Sequence, residues 1–174
     1  MALPLESVYQ ELILKHYRSS AHRGEVEAPS AAVAERNPLC GDDIFLTVRV
    51  RDGRVEDVRF SGHGCAISQA AASMMCEHAV GKSWDEIHAV AERFRQLVHG
   101  DEEAAKDRAL GDMRALSGVA RLPRRVKCAM LAWDALAEAE KQLGWGPQTT
   151  AASTASTSAH TRRTSSSGDT GLAR

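Results

Sequence analysis

At Cys65 the hydrophobic period of this chain switches from two residues to between three and four, and it stays helical for the rest of the patterned sequence. Upstream, Ile44-Phe45-Leu46-Thr47-Val48-Arg49-Val50 alternates and is rich in β-branched residues, as a half-buried strand requires. Arg51-Asp52-Gly53-Arg54 carries an Asp-Gly turn, and Val55, Val58 and Phe60 continue beyond it, so the segment is a hairpin. A short strand is expected near Ala31–Ala34. Downstream, Ile67, Ala71, Met74, Met75 and His78 fall on one helical side, and Gly81 is placed to end that helix.

Ser83 with Glu86 forms a capping box for a helix whose stripe is Trp84, Ile87, Ala91, Phe94 and Val98. Asp101 to Met113 is charged and reads as a short exposed helix. Pro123 suits the first turn of a last helix, with Val126, Met130, Trp133, Ala137 and Glu140 at helical spacing. Before the hairpin, Leu5, Val8, Tyr9, Leu12, Ile13, His16 and Tyr17 form an amphipathic first helix. Strands segregated from helices predict an α+β fold: a small antiparallel sheet of about three strands packed against about five helices.

The folded unit is expected over residues 1–146. In the remaining segment, 147–174, thirteen of 28 residues are Ser or Thr and Leu172 is the only large aliphatic one. Such a segment cannot bury enough apolar surface to offset its ordering entropy, so it reads as a disordered tail. A formal net charge of -1, with acids and bases interspersed, points away from nucleic acid and from a polybasic membrane surface. No apolar run reaches bilayer-spanning length, and the N-terminal residues lack a secretory pattern, so a cytoplasmic protein is expected. In a reducing compartment, spaced cysteines point to metal binding or sulfur chemistry rather than disulfides.

Three of the four cysteines have settings that favour a thiolate. Cys40 lies in the loop Asn37-Pro38-Leu39-Cys40-Gly41-Asp42, where the intervening glycine lets Cys40 and Asp42 face one ion. Cys65 follows Gly62-His63-Gly64 at a strand-to-helix junction, where free backbone N–H groups favour negative charge. Cys128 lies within the first turns of the last helix, preceded by Arg124, Arg125 and Lys127. Three thiolates and a carboxylate suit four-coordinate zinc, and thiolates also hold iron–sulfur clusters. Cys76, inside a helix after Met74-Met75, reads as a packing residue. His63 reads as a surface turn residue, and His16 and His78 as helix-face residues without a special role.

The three motifs together, Asn-Pro-x-Cys-Gly-Asp, Gly-x-Gly-Cys-Ala-Ile-Ser and Arg-x-x-Cys-Ala ahead of Leu131-x-Trp133, resemble the signatures of the U-type iron–sulfur assembly family, which has the NifU/IscU-like fold. The match is nearest the SufU branch and runs from the first helix to about Gly144. Scaffold members of the IscU type have a His directly before the third cysteine, where this chain has Lys127, and a shorter interval than the 63 positions from Cys65 to Cys128.

The resemblance implies that Cys40, Asp42, Cys65 and Cys128 bind zinc and that Cys40 accepts persulfide sulfur from a SufS-type cysteine desulfurase, a sulfurtransferase role in the broad sense. It also implies that Cys40 leaves the ion when the partner engages, and that sulfur passes on to a downstream iron–sulfur assembly complex. Arg125 is a candidate for orienting the Cys40 thiolate or persulfide. Two other readings stand beside this one: a scaffold on which a cluster is built on the same ligands, and a structural zinc-binding interaction domain.

Overall fold

The computed structural model describes residues 5–145. The segment read above as a Ser/Thr-rich tail lies outside the described residues. Helix α1 spans Leu5–Arg18, followed by strands β1 (Ala31–Asn37), β2 (Asp42–Arg51) and β3 (Arg54–Ser61). Helices α2 (Ala66–Ala79), α3 (Trp84–Val98) and α4 (Glu102–Lys106) come next, then a 3₁₀ segment over Arg108–Arg121 and helix α5 (Pro123–Gln142). The α+β architecture is as expected, with the 3₁₀ segment as a sixth helical element.

The sheet is antiparallel in the order β1-β2-β3. Its register sets Val33 opposite Leu46 and Leu46 opposite Phe60, so one face carries Val33, Ile44, Leu46, Val48, Val58 and Phe60, all buried. Burial of residues like these stabilises by about 1.5–3 kcal/mol each. Asp52 (φ 51°) and Gly53 (φ 73°) both adopt positive φ in the two-residue hairpin turn, which matches the right-handed twist of the strands. The first strand is longer than the sequence suggested, reaching Asn37.

Helices α5 and α2 cover the buried face of the sheet. Ten residues of α2 are buried, including Ser68, Gln69, Ser73 and Cys76. Its Ala- and Ser-rich surface lets α1, α5, β3 and the 3₁₀ segment pack against it from several sides, so α2 has no solvent face of the amphipathic kind. Cys76 is fully buried and burial pushes its thiol pKa up, in keeping with a packing role. Phe94 of α3 stacks toward Trp133 of α5 at 5.9 Å between ring centroids.

Four expectations need correction. Residues 101–113 are not a short exposed helix: α4 ends at Lys106, and Ala104, Leu110 and Met113 are fully buried. A kink at Gly111 (φ 51°, ψ −129°) turns the 3₁₀ segment so that Leu110, Met113, Leu116 and Val119 face inward. On α1, Val8 and Tyr17 are exposed and the side chain buried among the described residues is His16. His16 does have a structural role: its ring bonds Ser73 Oγ at 3.3 Å and Asp112 Oδ2 at 3.0 Å, pinning α1 to α2 and the 3₁₀ segment. On α5 Ala137 is exposed, and the inward stripe runs through Ala129, Ala132, Leu136 and Ala139.

Candidate metal centre

Three secondary-structure junctions meet at one end of the sheet. The β1–β2 turn carries Cys40, and Asn37 and Asp42 form its closing register pair. The Asn37 carbonyl accepts from Gly41 N at 2.9 Å and Cys40 N at 3.3 Å, while its side-chain Oδ1 accepts from Leu39 N at 3.1 Å. This is the local turn geometry that an Asn ahead of proline favours. The β3–α2 junction, Gly62-His63-Gly64-Cys65, is tied to β2 by reciprocal bonds between Asp43 and His63 at 2.8 and 3.1 Å. Gly62 has φ 123°, and a Cβ there would stand 2.3 Å from the Asp43 carbonyl oxygen, so only glycine lets these segments approach. The second turn of α5, a helix opened by Pro123, brings in Cys128.

Ligand atoms of Cys40, Asp42 and Cys128 all lie within 4.8 Å of one another. The Cys128 thiol donates to the Cys40 sulfur at 3.1 Å, and both thiols sit under the Arg124 carbonyl, at 3.9 Å from Cys40 and 3.8 Å from Cys128. Asp42 is buried; its Oδ1 accepts the Cys65 N–H at 3.2 Å, while Oδ2 is buried with no hydrogen-bond partner. A carboxylate oxygen left without a donor in a dry site is costly unless a cation meets it. Two soft sulfurs and this oxygen therefore form a set that can hold a metal ion.

Cys65 stands next to this set but its sulfur is outside the group of mutually close ligand atoms. It is the N-cap of α2, and its Sγ accepts the Ser68 N–H at 3.4 Å. Cys40 is partly exposed and Cys128 fully buried, so one thiol is reachable and the other is walled in. The Cys128 environment corrects the expectation of a ready thiolate. Burial, then contacts with Cys40 and Asp42, pushes its pKa up in the metal-free chain, despite the basic residues of that turn. A cation at the site would reverse that balance.

The neighbouring Cys128 sulfur, then the charges of the three thiols, push the pKa of Arg125 further up. Lys127 is exposed. His63 has a side chain 95 % exposed and lies 3.7 Å from Asp43, away from the ligand atoms, as expected of a turn residue. Asn37 is a contributor that pattern reading missed. Buried at 4 % exposure, it directs Nδ2 at Cys128 Sγ over 3.7 Å, and its place ahead of proline in the first cysteine motif was the signal.

A family model of the NifU-like N-terminal domain matches residues 8–143 of this chain. The chain belongs to the NifU-like N-terminal domain family. Within that family it is 41% identical over 138 residues to the iron–sulfur cluster assembly scaffold protein IscU of Streptococcus pyogenes, spanning 79% of this chain and 86% of that one. It is 39% identical over 133 residues to the zinc-dependent sulfurtransferase SufU of Bacillus subtilis, spanning 76% and 88%. A crystal structure from Fervidobacterium islandicum, described as a putative iron–sulfur cluster assembly scaffold protein for the SUF system, superposes with a TM-score of 0.69 at 31% identity, covering 78% of this chain and 98% of that one. The N-terminal part of a NifU-like protein from Brucella abortus, at 24% identity and a TM-score of 0.71, covers 82% and 99% and shares the fold. Among the described residues of this NifU-like domain no helix is long and apolar enough to cross a membrane.

Proposed function

We propose that this NifU-like domain is a zinc-dependent sulfur acceptor and carrier for iron–sulfur cluster assembly, loaded by a SufS-type cysteine desulfurase. The observation that carries the reading is the asymmetry of the thiols: Cys40 is partly exposed on a turn, against a fully buried Cys128 and a buried Asp42 with an unpartnered oxygen. Cys40, Asp42, Cys65 and Cys128 are the ligands in this reading. When bound, zinc would keep the thiols deprotonated at neutral pH and would bring no redox chemistry of its own.

In the transfer step Cys40 Sγ attacks the outer sulfur of the donor persulfide. An S–S bond forms at Cys40, the donor's S–S bond breaks, and the donor cysteine leaves as a thiolate. The sulfane sulfur keeps its oxidation state, so the exchange needs no external oxidant or reductant. Arg125 supplies positive charge beside the sulfurs and would orient the Cys40 thiolate or its persulfide. The turn that carries Cys40 is held chiefly by its bonds to Asn37, so in this reading it would swing outward while Asp42 stays in β2.

A second reading, a scaffold that builds and transfers a cluster on the same residues, is favoured by the Streptococcus pyogenes relative, which is as similar as the sulfurtransferase. Lys127 in place of the His that precedes the third cysteine of IscU-type scaffolds weighs toward the carrier. Metal analysis of aerobically purified protein, with desulfurase stimulation by ligand variants, tests the two. The carrier is colourless with about one zinc per chain; Cys40→Ala abolishes stimulation and Cys76→Ala does not. A brown protein that keeps iron and acid-labile sulfide, or full stimulation by Cys40→Ala, refutes it.

A further inference from the structure

Asp42 is not the only buried polar group without a partner near the thiols. Ser68 Oγ and Gln69 Nε2, both on the first turn of α2, are also buried and unpartnered. All three groups crowd one point. If Gly64 carried a Cβ, it would stand 3.0 Å from Gln69 Nε2, 3.0 Å from Ser68 Oγ and 3.2 Å from Asp42 Cγ. The bare Gly64 α-carbon thus leaves open a space that two donors and one carboxylate share.

The orientation of the Gln69 amide is fixed from its other side. Gln69 is 2 % exposed and its Oε1 accepts a hydrogen bond from Arg23 Nη1. A guanidinium has donors only, so it selects the carbonyl oxygen and turns the NH₂ of Gln69 toward Gly64. Arg23 is itself held: its guanidinium lies over the Phe60 ring at 4.4 Å, and its Nη2 donates to the Tyr17 carbonyl at 3.4 Å. Arg23 is therefore clamped between α1 and β3, and the amide it orients has one donor side left. The acceptor facing that side is a carboxylate with about four lone-pair positions, one of which takes the Cys65 N–H.

We infer that Gln69, oriented by Arg23 and assisted by Ser68, is a positioning residue for the Asp42 carboxylate: its NH₂ donates to Asp42 and fixes which oxygen is presented to the metal. The inference rests on Asp42 being a metal ligand, as proposed above. A small shift across the Gly64 space completes the bonds, and metal binding supplies the charge on Asp42 with a counterpart. Groups that hold a ligating carboxylate typically change metal affinity by about 10- to 100-fold when removed. Gln69→Met keeps the volume and removes the amide, and Ser68→Ala removes only one hydroxyl.

The test is a zinc competition titration against a chromogenic chelator on the full chain. The cobalt(II) absorption spectrum and the melting temperature in excess chelator are recorded alongside. Gln69→Met is expected to weaken zinc binding by about 10- to 100-fold and to shift the cobalt ligand-field bands, with sulfur-to-cobalt charge transfer retained. Ser68→Ala is expected to do the same to a smaller degree, and the metal-free melting temperatures stay close to wild type. Wild-type zinc affinity and an unchanged cobalt spectrum in a folded Gln69→Met variant overturn the inference. If Gln69→Met does not fold, Arg23→Lys takes its place, since an ammonium cannot hold both partners of the fork; wild-type affinity and spectrum there overturn it equally. Failure of the wild-type chain itself to bind zinc would overturn the proposed function instead.

Discussion

Replacing Gly62 by alanine isolates the close approach that places Asp42 beside Cys65. At φ 123° an L-residue is outside the left-handed well, and the added Cβ would sit 2.3 Å from Asp43 O, 3.0 Å from Asp43 C and 3.1 Å from Ile44 Cα. These are backbone atoms of a central strand and cannot rotate away. The chain must open to relieve the overlap, which breaks the two backbone–backbone bonds between Asp43 and His63. Backbone strain costs about 1–2 kcal/mol and two lost hydrogen bonds about 1 kcal/mol each, so the expected loss is about 3–4 kcal/mol.

Gly81→Ala is the matched control. Its φ is +80° with nothing within 4 Å of the point an added Cβ would occupy, so it bears conformational strain without collision. About 1 kcal/mol is expected there, after the smaller entropy of the unfolded alanine chain is subtracted. Urea unfolding of both variants in excess chelator removes any metal contribution, and zinc titration then reads the site. Gly62→Ala should lower zinc affinity as well as stability, because the same opening moves the Cys65 N–H away from Asp42. Equal stability losses for the two variants, within about 1 kcal/mol, would refute the steric argument.

Removing metal with a strong chelator is expected to lower the melting temperature by roughly 10 °C, since a ligand at a thousandfold over its Kd contributes about 4 kcal/mol; an unchanged value counts against metal in the folded state. His16→Ala should cost about 3 kcal/mol in denaturant unfolding, because it empties a buried site and leaves Ser73 and Asp112 without their ring partner; a loss below about 1 kcal/mol would show that the ring does not pin α1. Stability of the metal-free chain should fall as pH rises above about 8.5, where the unfolded Cys76 thiol ionises and the folded one, held up by burial and by the charges of Asp57 and Glu77, does not. The folded state then binds more protons than the unfolded state. Cys76→Ala should flatten that decline by about 1.4 kcal/mol per pH unit, and an unaltered slope would show that Cys76 ionises freely when folded.

Local chemistry made much of this domain legible. The Asp52-Gly53 turn needs two positive φ angles, and Asp-Gly supplies them without tertiary help. The Ser83–Glu86 capping box forms as written, with Ser83 N donating to Glu86 at 2.8 Å and Glu86 N to Ser83 Oγ at 3.4 Å. The pairing of Cys40 with Asp42 is readable for the same reason, as two candidate ligands on one turn. Helix α1 and the segment after α4 depart from their patterns because burial there depends on what packs alongside. Charged residues can flank a fully buried Met113, and an apolar Val8 can stay exposed.

By itself the sequence determined the strands, the long helices and their order, the family motifs and three thiols at chain positions that favour ligation, because these rest on contacts within a few residues; it did not give the 3₁₀ segment over Arg108–Arg121. Only the tertiary structure decided which thiols meet. Cys40 and Cys128 are 88 positions apart in sequence and 3.1 Å apart in space because α5 packs across β1 and β2. That packing also buries Cys128 and raises its pKa, leaves Asp42 Oδ2 without a donor, and sets Gln69 between Arg23 and Gly64. Burial and the direction of a side-chain amide are properties of the assembled core, and no local pattern encodes them.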